Sequence, residues 1–356
     1  MSNRIATLAG RLPEDIDAML VQSPVNRIYL TGMQSSAGSL FVTRDQAYFI
    51  IDFRYIELAR NKATNAEVIL QQNLYEQLGE IVLRHGIKCI GVESGYLSVA
   101  SYLAHSAGIK GAELVFDNRC NDIILDMRRR KDKDEIALMQ SVQDIADKVF
   151  TDMLGVIRAG LSEKEVALEI YRRGFLYGAQ DLSFSTIAVS GINSSMPHGV
   201  PSDKQLQRGD LLTMDFGYRV DGYCSDMTRT VAIGEVAEEQ RHVYNTTLKA
   251  QIAALDAIGP GKACSDIDKI ARDIIHNAGY EGCFGHSLGH SLGVEVHEGP
   301  RFRAGEADLT EPSHVISVEP GIYLEGRFGC RIEDVVCITE DGYINLTHSP
   351  KELIVL

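Results

Sequence analysis

The residues best suited to chemistry are four acids and a group of histidines that lie far apart along the chain. Two segments each carry a pair of acids: Met214-Asp215-Phe216-Gly217 with Ser225-Asp226-Met227, and Glu319-Pro320-Gly321 with Arg331-Ile332-Glu333. Between them lies Gly289-His290-Ser291-Leu292-Gly293. Four carboxylates and one imidazole form a full ligand set for two divalent metal ions. Because such a centre generates hydroxide near neutral pH and stabilises a tetrahedral intermediate, the pattern indicates a metallohydrolase.

The first acid pair flanks a predicted hairpin turn. Asp221-Gly222 is a strong two-residue turn signal between two strand-like runs. If it forms the turn, Gly217 lies opposite Asp226, and Asp215 lies two residues further along the same face, with backbones roughly 7–8 Å apart. Both carboxylates can then reach one ion. The alternative, two acids on a solvent-facing strand, fits less well because their neighbours are apolar and unpaired buried acids are costly.

The second acid pair follows the same logic over a longer connection. The runs 314–319 and 331–336 alternate in the way that half-buried strands do. Glu319 and Glu333 can therefore face the same interior. On these residues alone, Glu319 before Pro320-Gly321 fits an acid in a turn equally well.

Histidines offer the remaining ligand, but the residues alone do not decide which one. Residues 285–293 read Gly-His-Ser-Leu-Gly-His-Ser-Leu-Gly and present His286 and His290, with His297 shortly after. Histidines so closely spaced, in a glycine-rich stretch that lets the backbone approach a ligand, are unusual. His198 is uninformative by itself. The carboxylate-rich set is harder than the usual zinc sets, so Mn²⁺, Co²⁺ or Fe²⁺ should suit it at least as well.

Length and composition predict a globular protein of about two domains. The chain has 356 residues, of which 45% are hydrophobic and 24% charged. Its net charge of -14 argues against a nucleic-acid partner, because phosphate binding needs a basic face. The one basic run, Arg128-Arg129-Arg130-Lys131, is followed by acids and is interpreted as a solvated linker.

Targeting and redox signals favour a cytoplasmic protein without a membrane segment. Residues 1–11 lack the apolar stretch of a signal peptide, and no run approaches the ~18 apolar residues of a membrane helix. The seven cysteines are odd in number and form no Cys-x-x-Cys, so we expect free thiols in a reducing compartment. Neither a protein kinase nor a serine hydrolase is expected.

Periodicity predicts a small α/β domain first, then helices interleaved with strands. The first part contains predicted strands at 16–21, 39–43, 47–51 and 89–92 and a helix at 74–85. The charged stretch 128–135 is the expected boundary. Beyond it, helices are predicted over 136–149, after a capping box formed by Ser162 and Glu165, over 237–257 and over 264–277.

Taken together, these motifs resemble the M24 metallopeptidase family of proline dipeptidases, aminopeptidase P and methionine aminopeptidases, with its pita-bread catalytic fold. The two hairpin acids, Gly-His-x-x-Gly, Glu-Pro-Gly and Arg-Ile-Glu-Asp occur in family order over about residues 129–356. Residues around Leu30-Thr31-Gly32 and Asp52-Phe53-Arg54-Tyr55 resemble a creatinase/prolidase-type N-terminal domain. The resemblance implies an α/β (α+β) chain with that domain over 1–127 and a pita-bread catalytic domain over 128–356.

The resemblance also assigns roles to individual positions. The implied metal ligands are Asp215, Asp226, His290, Glu319 and Glu333. Asp226 and Glu333 would bridge the ions, and Glu319 would exchange a proton with a bridging hydroxide. His290 is preferred to His286 because His297 follows it by seven positions, as in the family. His198 and His297 would stabilise the oxyanion and guide the leaving amine. The implied substrate or supporting contacts are His286, Arg301, Tyr323 and Arg331.

The sequence departs from the family pattern at two places. Ser291 stands where the family often has glycine. Residues 311–314, ahead of Glu319, differ from the usual glycine-methionine turn. Neither departure removes a ligand, but both leave the shape of the pocket open.

The activity implied by the resemblance is that of an exopeptidase that cleaves the N-terminal Xaa-Pro bond of dipeptides or short peptides through a metal-bridging hydroxide. The implied cofactor is two divalent ions, with Mn²⁺ preferred and Co²⁺, Fe²⁺ or Zn²⁺ as alternatives. The implied protein is a cytoplasmic homodimer that binds a peptide with proline in second position and neither nucleic acid nor membrane. Arg301 can hold a free C-terminal carboxylate, as a dipeptidase needs, or be an ordinary surface arginine.

Three other functions are compatible with parts of this pattern. A broader aminopeptidase, including one that removes methionine, shares the catalytic half, although the N-terminal domain argues against a simple methionine aminopeptidase. A creatinase-like enzyme shares both domains but works without metal. A non-catalytic pita-bread protein binds peptides or histones. Members of the last two classes generally lack ligands that this chain keeps.

Overall fold

The computed structural model describes residues 4–356. Residues 1–3, which belong to the predicted N-terminal domain and to the segment examined for a signal peptide, lie outside the described residues. The chain divides into two compact units, Met1–Arg128 and Arg129–Leu356. Across residues 4–356, none of the helices combines the length and apolar character needed to span a membrane.

The first unit is built on one six-stranded sheet. Its strands are β1 (Ala18–Val21), β2 (Ser39–Thr43), β3 (Ala47–Ile51), β4 (Glu67–Leu70), β5 (Cys89–Val92) and β6 (Glu113–Val115). Its helices are α1 (Arg4–Arg11), α2 (Pro24–Thr31), α3 (Ile56–Lys62), α4 (Leu74–His85), α5 (Val99–Gly108) and α6 (Asn118–Arg129, which ends one residue into the second unit). The strand order is β4-β3-β2-β1-β5-β6, in which β1–β2 and β2–β3 are antiparallel and the other pairs parallel.

Most of the elements predicted for this unit are confirmed. The hairpin is β2–β3, the helix is α4, and the strand that follows is β5. The strand predicted at 16–21 is shorter and begins at Ala18. It starts later because the Ile16 N–H closes a turn onto the Pro13 carbonyl oxygen at 2.9 Å.

The second unit combines small antiparallel sheets with four long helices. Its strands are β7 (Asp181–Leu182), β8 (Ile187–Ser190), β9 (Leu211–Phe216), β10 (Tyr218–Val220), β11 (Tyr223–Cys224), β12 (Met227–Ala232), β13 (Gly289–Ser291), β14 (Glu298–Phe302), β15 (Val315–Val318), β16 (Gly321–Leu324), β17 (Phe328–Arg331), β18 (Asp334–Ile338) and β19 (Tyr343–Asn345). Its helices are α7 (Lys133–Met153), α8 (Glu163–Leu176), α9 (Glu238–Asp256) and α10 (Cys264–Ile275), with a 3₁₀ turn at Gly191–Ser195 and a π turn at His276–Tyr280. The sheets have orders β11-β10-β7, β12-β9-β8, β14-β13-β15-β18-β19 and β16-β17.

Helices α8, α9 and α10 begin within one residue of the predicted positions, whereas α7 begins at Lys133, three residues before the predicted 136. At α8, the Ser162 side chain accepts a hydrogen bond from the Glu165 N–H while the Glu165 carboxylate accepts from the Ser162 N–H. This is the predicted capping box, and it satisfies backbone donors that the first helical turn would otherwise leave unpaired. Asp132 and Glu135 form the same arrangement at α7.

Each pair of helices covers one face of a sheet, and the strand alternation turns the acids to the other face. Met214 and Phe216 belong to the core beneath α7 and α8. Ile316 and Val318 belong to the core beneath α9 and α10. Because successive strand residues point to opposite faces, Asp215 between the first two must face away from that core.

The first hairpin has the predicted register. Arg219 pairs with Cys224 and Thr228 with Asp215, so one register runs from the turn to the end of the ladder and places Gly217 opposite Asp226. Asp221 and Gly222 both have positive φ, 46° and 88°, as a type I′ turn requires. A Cβ at Gly217 would lie 2.0 Å from the Ser225 carbonyl oxygen, so only glycine fits there.

The second acid pair also lies in one continuous register. Val318 pairs with Asp334 in β15–β18, and Gly321 pairs with Arg331 in β16–β17. Both pairings imply that Glu319 lies directly opposite Glu333. The sequence predicted a shared interior for these two acids, and the ladder supplies it.

Buried Arg229 joins the two acid-bearing hairpins. Its guanidinium donates to Asp334 Oδ1 at 2.8 Å and to the backbone carbonyl of Glu333. It also donates to the carbonyl oxygens of Ser349 at 2.7 Å and Pro350 at 3.0 Å. The strand next to Asp226 is thereby fixed against the strand next to Glu333.

The basic run is not the solvated linker that the sequence suggested. Arg128 is the last residue of the first unit, and Lys131 belongs to the second, where its side chain is 1% exposed and pairs with Glu298 Oε2 at 3.1 Å. Arg129 and Arg130 form ion pairs with Asp308 and Glu311. The prediction failed because these acidic partners lie far away in the sequence.

Candidate metal centre

One cavity of the second unit brings the predicted ligands together. Its volume is about 480 Å³. The predicted site residues that line it are His198, Asp215, Asp226, His286, His290, His297, Arg301, Glu319, Arg331 and Glu333. Tyr323, the remaining candidate, lies behind this lining, where its hydroxyl accepts a hydrogen bond from Arg331.

Three predicted ligands form the tightest group. Ligand atoms of Asp226, His290 and Glu333 all lie within 4.8 Å of one another. His290 Nε2 lies 3.7 Å from Asp226 Oδ2 and 3.2 Å from Glu319 Oε1. Asp215 lines the same cavity, and its Oδ2 accepts a hydrogen bond from Arg331.

The donor set fits divalent cations. Within residues 4–356, three buried carboxylate oxygens of this group lack a hydrogen-bond donor: Asp215 Oδ1, Asp226 Oδ1 and Glu333 Oε1. A buried acceptor without a partner is costly, whereas a carboxylate oxygen is a preferred ligand of hard cations such as Mn²⁺. Oxygens left open on one cavity wall, next to an imidazole nitrogen, therefore match what a divalent cation requires.

The electrostatics of the group also call for positive charge. Burial raises the pKa of Asp226 well above its ordinary value, and the neighbouring Glu333 raises it further. Burial likewise raises the pKa of Glu333, with Glu319 adding to the effect. Burial alone would raise the pKa of Glu319 too, but the hydrogen bond and charge of His290 lower it to about 2. The cluster thus holds more buried negative charge than its own cations balance.

Hydroxyl groups that sequence reasoning missed hold the ligands in place. Ser317 Oγ accepts from the His290 N–H at 3.0 Å and donates to Glu319 Oε1 at 3.0 Å. Thr228 Oγ1 donates to Glu333 Oε2 at 2.8 Å. Thr228 lies two residues after Asp226, and Ser317 lies two residues before Glu319. This spacing, which puts each hydroxyl on the same strand face as an acid, is the signal that the sequence offered.

The orientation of His290 is set by its backbone surroundings. Its Nδ1 lies 3.2 Å from the Ser291 carbonyl oxygen, which can only accept a hydrogen bond. Nδ1 therefore carries a proton whether the ring is neutral or charged, and Nε2 faces the acids, where a metal ion would take the place of its second proton. A Cβ at Gly289 would lie 1.9 Å from the Ser317 carbonyl oxygen, so the glycine lets β13 approach β15 closely.

A part-buried chain of polar side chains borders the cavity. His286 Nε2 lies 2.9 Å from the Tyr323 hydroxyl, which accepts from Arg331 Nη1 at 2.7 Å. Burial raises the pKa of Asp215, although the adjacent Arg331 charge opposes the rise. Both ring nitrogens of His286 have partners in this chain, since Nδ1 lies 2.8 Å from the Ser287 carbonyl oxygen and Nε2 lies beside Tyr323, whereas His290 Nε2 lies beside the acids.

The two predicted catalytic histidines line different parts of the cavity. His297 is exposed, and its ring meets the His290 ring edge-on with centroids 4.4 Å apart. Burial lowers the pKa of His297, and His290 lowers it further. His198 is exposed on the segment after the 3₁₀ turn. Arg301 is also exposed, on β14 beside His290.

The histidine repeat contains the spacing Gly-x-Ser-x-Gly twice, centred on Ser287 and Ser291. A serine-hydrolase nucleophile with this spacing sits at a sharp strand-to-helix turn with an exposed hydroxyl. Ser291 instead lies within β13, and its buried hydroxyl has no hydrogen-bond partner in the described chain. Ser287 precedes that strand rather than a helix. The expectation that this is not a serine hydrolase therefore rests on the fold.

A second group of possible ligands has a structural role. Asp144, Asp147 and His348 also place ligand atoms within 4.8 Å of one another. Asp147 Oδ1 accepts from the Ser349 N–H at 2.8 Å, and Oδ2 accepts from the His348 N–H at 2.9 Å. Its oxygens are already used to fix the segment that follows β19.

Comparisons with known proteins agree across both units. The model of metallopeptidase family M24 matches residues 137–340, and that of the creatinase/prolidase N-terminal domain matches residues 4–128. The predicted class, an α/β chain with this N-terminal domain ahead of an M24 catalytic domain, is confirmed.

Individual relatives match over almost their full length. An uncharacterized peptidase, YqhT, of Bacillus subtilis is 41% identical, covering 99% of each chain. A structure titled Xaa-Pro dipeptidase from Bacillus anthracis has a TM-score of 0.95 and 37% identity, covering 99% of each chain. A structure of X-Pro aminopeptidase from Thermotoga maritima has a TM-score of 0.92 and 34% identity, covering 99% of this chain and 100% of that one.

Replacing Ser317 by alanine should weaken metal binding. The change removes the hydroxyl that orients both His290 and Glu319, and loss of such a supporting contact typically costs 10–100-fold in metal affinity. Titration calorimetry with Mn²⁺ would measure the dissociation constant. Ser291→Ala is the matched control, because its hydroxyl is buried beside His290 without a partner, and its affinity should stay within about twofold of the parent. Equal affinity of Ser317→Ala and the parent would contradict the role given to Ser317.

Proposed function

Because this chain belongs to metallopeptidase family M24 and is a metallo-exopeptidase, we propose that it hydrolyses the Xaa-Pro bond at the N-terminus of dipeptides. The single observation that carries the proposal is the buried group of carboxylates and one imidazole with open oxygens on the wall of one cavity. The similarity to the B. anthracis protein titled Xaa-Pro dipeptidase supports the substrate class.

The proposed cofactor is a pair of divalent ions, with Mn²⁺ preferred because the ligands are mainly carboxylates. The proposed ligands are Asp215, Asp226, His290, Glu319 and Glu333. Asp226, His290 and Glu333, whose ligand atoms lie within 4.8 Å of one another, would form the centre of this ligand set. When bound, the ions supply an activated water and polarise the substrate carbonyl.

The chain's own residues would move the protons and stabilise the transition state. Glu319, exposed to the cavity and close to His290, accepts the proton of the attacking water and returns it to the leaving amine. His297, on the wall of the cavity, donates a hydrogen bond to the developing oxyanion. His198, on the exposed side of the cavity, guides the leaving nitrogen.

A second candidate substrate is a longer peptide with proline in second position. The similarity to the T. maritima protein titled X-Pro aminopeptidase favours it. The two substrates differ at the C-terminal side of proline, where a dipeptide presents a free carboxylate and a longer peptide does not. Exposed Arg301 on the cavity wall is suited to bind that carboxylate bidentately.

We further propose a cytoplasmic homodimer. All seven cysteines are free, which suits a reducing compartment. The creatinase/prolidase-type N-terminal unit is the part expected to join two copies. Light scattering on the purified chain should give about twice its 39.2 kDa mass, and a monomer mass would remove this part of the proposal.

Chelation should abolish peptide hydrolysis, and Mn²⁺ or Co²⁺ should restore it. The reason is that the buried carboxylates bind the ions that activate water. The measurement is release of proline or of the N-terminal residue from Ala-Pro, Met-Pro, an Xaa-Pro-Xaa tripeptide and a Met-Ala peptide. Ala-Pro and Met-Pro should be the substrates with the highest kcat/KM.

Glu319→Ala is the control for this experiment. It should eliminate turnover of every peptide in the presence of Mn²⁺ while the circular dichroism spectrum stays unchanged. Activity that survives EDTA would refute the metal mechanism, and a Glu319→Ala enzyme as active as the parent would refute the acid/base role of Glu319. Preference for Met-Ala would favour a broader aminopeptidase instead.

Arg301→Ala should reduce hydrolysis of dipeptides more than that of tripeptides. Loss of a charge-assisted contact with a free carboxylate corresponds to about a tenfold or larger fall in kcat/KM. For the tripeptide, kcat/KM should change less than about threefold. Arg303→Ala is the matched control, since Arg303 is exposed just past the same strand and pairs with Glu306. Equal losses of kcat/KM on the dipeptide and the tripeptide would show that Arg301 does not bind the C-terminal carboxylate.

A further inference from the structure

The carboxylate of Glu163, at the start of α8, is fully buried and saturated with hydrogen bonds. Oε1 accepts from the Ser190 N–H at 2.7 Å, the Ser190 hydroxyl at 3.0 Å and Asn193 Nδ2 at 3.1 Å. Oε2 accepts from Asn193 Nδ2 at 3.0 Å, the Ser202 N–H at 3.1 Å and the Ser202 hydroxyl at 2.7 Å. Every partner is a donor, so the group is built for a carboxylate.

These donors stand at the two ends of one segment. Ser190 ends β8, and Ser202 lies twelve residues later, just past the segment 191–201, which we call the His198 loop. The backbone of α8 adds to this closure, because the Glu163 N–H donates to the Lys204 carbonyl at 3.0 Å and the Lys164 N–H to the Ser202 carbonyl at 3.1 Å. Glu163 therefore holds together the two ends of the loop that carries His198.

The outer part of the His198 loop is far less enclosed. Ile192 is 55% exposed and Val200 79% exposed. Two contacts fix its inner side: the Gly329 N–H donates to Ser194 Oγ at 2.9 Å, and Arg331 Nη1 donates to the Pro197 carbonyl at 3.2 Å. The position of exposed His198 thus follows from how the backbone of the loop is held.

Within residues 4–356, the partners of the Glu163 carboxylate are hydrogen-bond donors rather than a direct ion-pair partner. Glu163 sits in the first turn of α8, where the helix dipole favours a negative charge. Lys204, the nearby cation, instead donates to the Ser190 hydroxyl at 2.9 Å and to Asp210 Oδ2 at 2.7 Å. The carboxylate is therefore available to act as a multidentate acceptor for the loop.

We propose that Glu163 is a positioning residue for His198, and that it acts on the reaction only through the placement of the His198 loop. The proposal rests on the proposed function, in which His198 contacts the substrate. A catalytic group moved by about 1 Å can lose about 10²-fold in rate. Releasing one end of the loop should therefore lower kcat while the metal ligands, which lie on other strands, stay in place.

The test is a double-mutant comparison on the Mn²⁺-loaded enzyme. Glu163→Gln keeps the volume but turns an NH₂ group towards donors, so it releases one end of the loop. It should lower kcat on Ala-Pro about 10²-fold with a smaller change in KM. In a His198→Ala background, the same substitution should cause less than about a twofold further loss. Glu165→Gln, an exposed glutamate of the same helix turn, is the matched control and should retain the parent kcat.

Other results would overturn the proposal. Equal losses in both backgrounds would mean a general structural role, and an unchanged kcat in Glu163→Gln would mean that the loop does not depend on it. If Glu163→Gln fails to fold, Ser202→Ala removes one hydroxyl donor from the far end of the loop. That variant should lower kcat severalfold in the parent and not in His198→Ala, and equal losses would again overturn the proposal.

Hydrogen exchange separates this proposal from the proposed function. Amides of residues 191–201 should exchange faster in Glu163→Gln than in the parent or Glu165→Gln, while amides of the hairpin 211–232 stay unchanged. Unchanged exchange in the loop would overturn the positioning role, whatever the activity. An inactive parent enzyme with faster loop exchange in Glu163→Gln would instead refute the proposed function and leave the placement of the loop by Glu163 supported.

Discussion

Repulsion among buried carboxylates is the constraint on which the catalytic unit depends. Asp226 and Glu333 are almost completely buried, and their ligand atoms lie within 4.8 Å of each other. The negative charges of Asp215 and Glu319 are near enough to raise the pKa of both Asp226 and Glu333. Burying so much negative charge is unfavourable unless cations balance it, and Arg331 and His290 balance only part of it. The surrounding structure must therefore hold these side chains together against their repulsion while leaving their open oxygens accessible from the cavity.

Continuous strand ladders meet this constraint. Each acid pair lies on a pair of strands whose register does not change between the turn and the ligand positions. The Glu333 N–H donates to the Thr228 carbonyl at 3.1 Å, and Arg229 bonds to the backbone beside Glu333. Four chain segments are thus joined by backbone hydrogen bonds and one buried guanidinium, which leaves the carboxylates little freedom to move apart.

The sequence predicts those parts of the structure that local rules determine. The Asp221-Gly222 turn sets the register of its hairpin by itself, and the capping box of Ser162 and Glu165 sets the start of α8. The two identical Gly-His-Ser-Leu-Gly segments could not be told apart locally, and His290 was chosen by family resemblance alone. The roles of Ser317 and Glu163 could not be predicted, because their hydrogen-bond partners come close to them only in the folded chain. Lys131 was wrongly predicted to be solvated for the same reason, because its partner Glu298 is 167 positions away in the sequence.

The unbroken registers have a consequence for how the chain tolerates changes in length. One residue added within either ladder would turn every following side chain to the opposite face and carry the carboxylates out of the cavity. The connection between β16 and β17, residues 325–327, is exposed and lies beyond the last paired residues, Leu324 and Phe328. An epitope or fluorophore-binding peptide grafted at that tip would project into solvent and leave the alternation of the ladder intact.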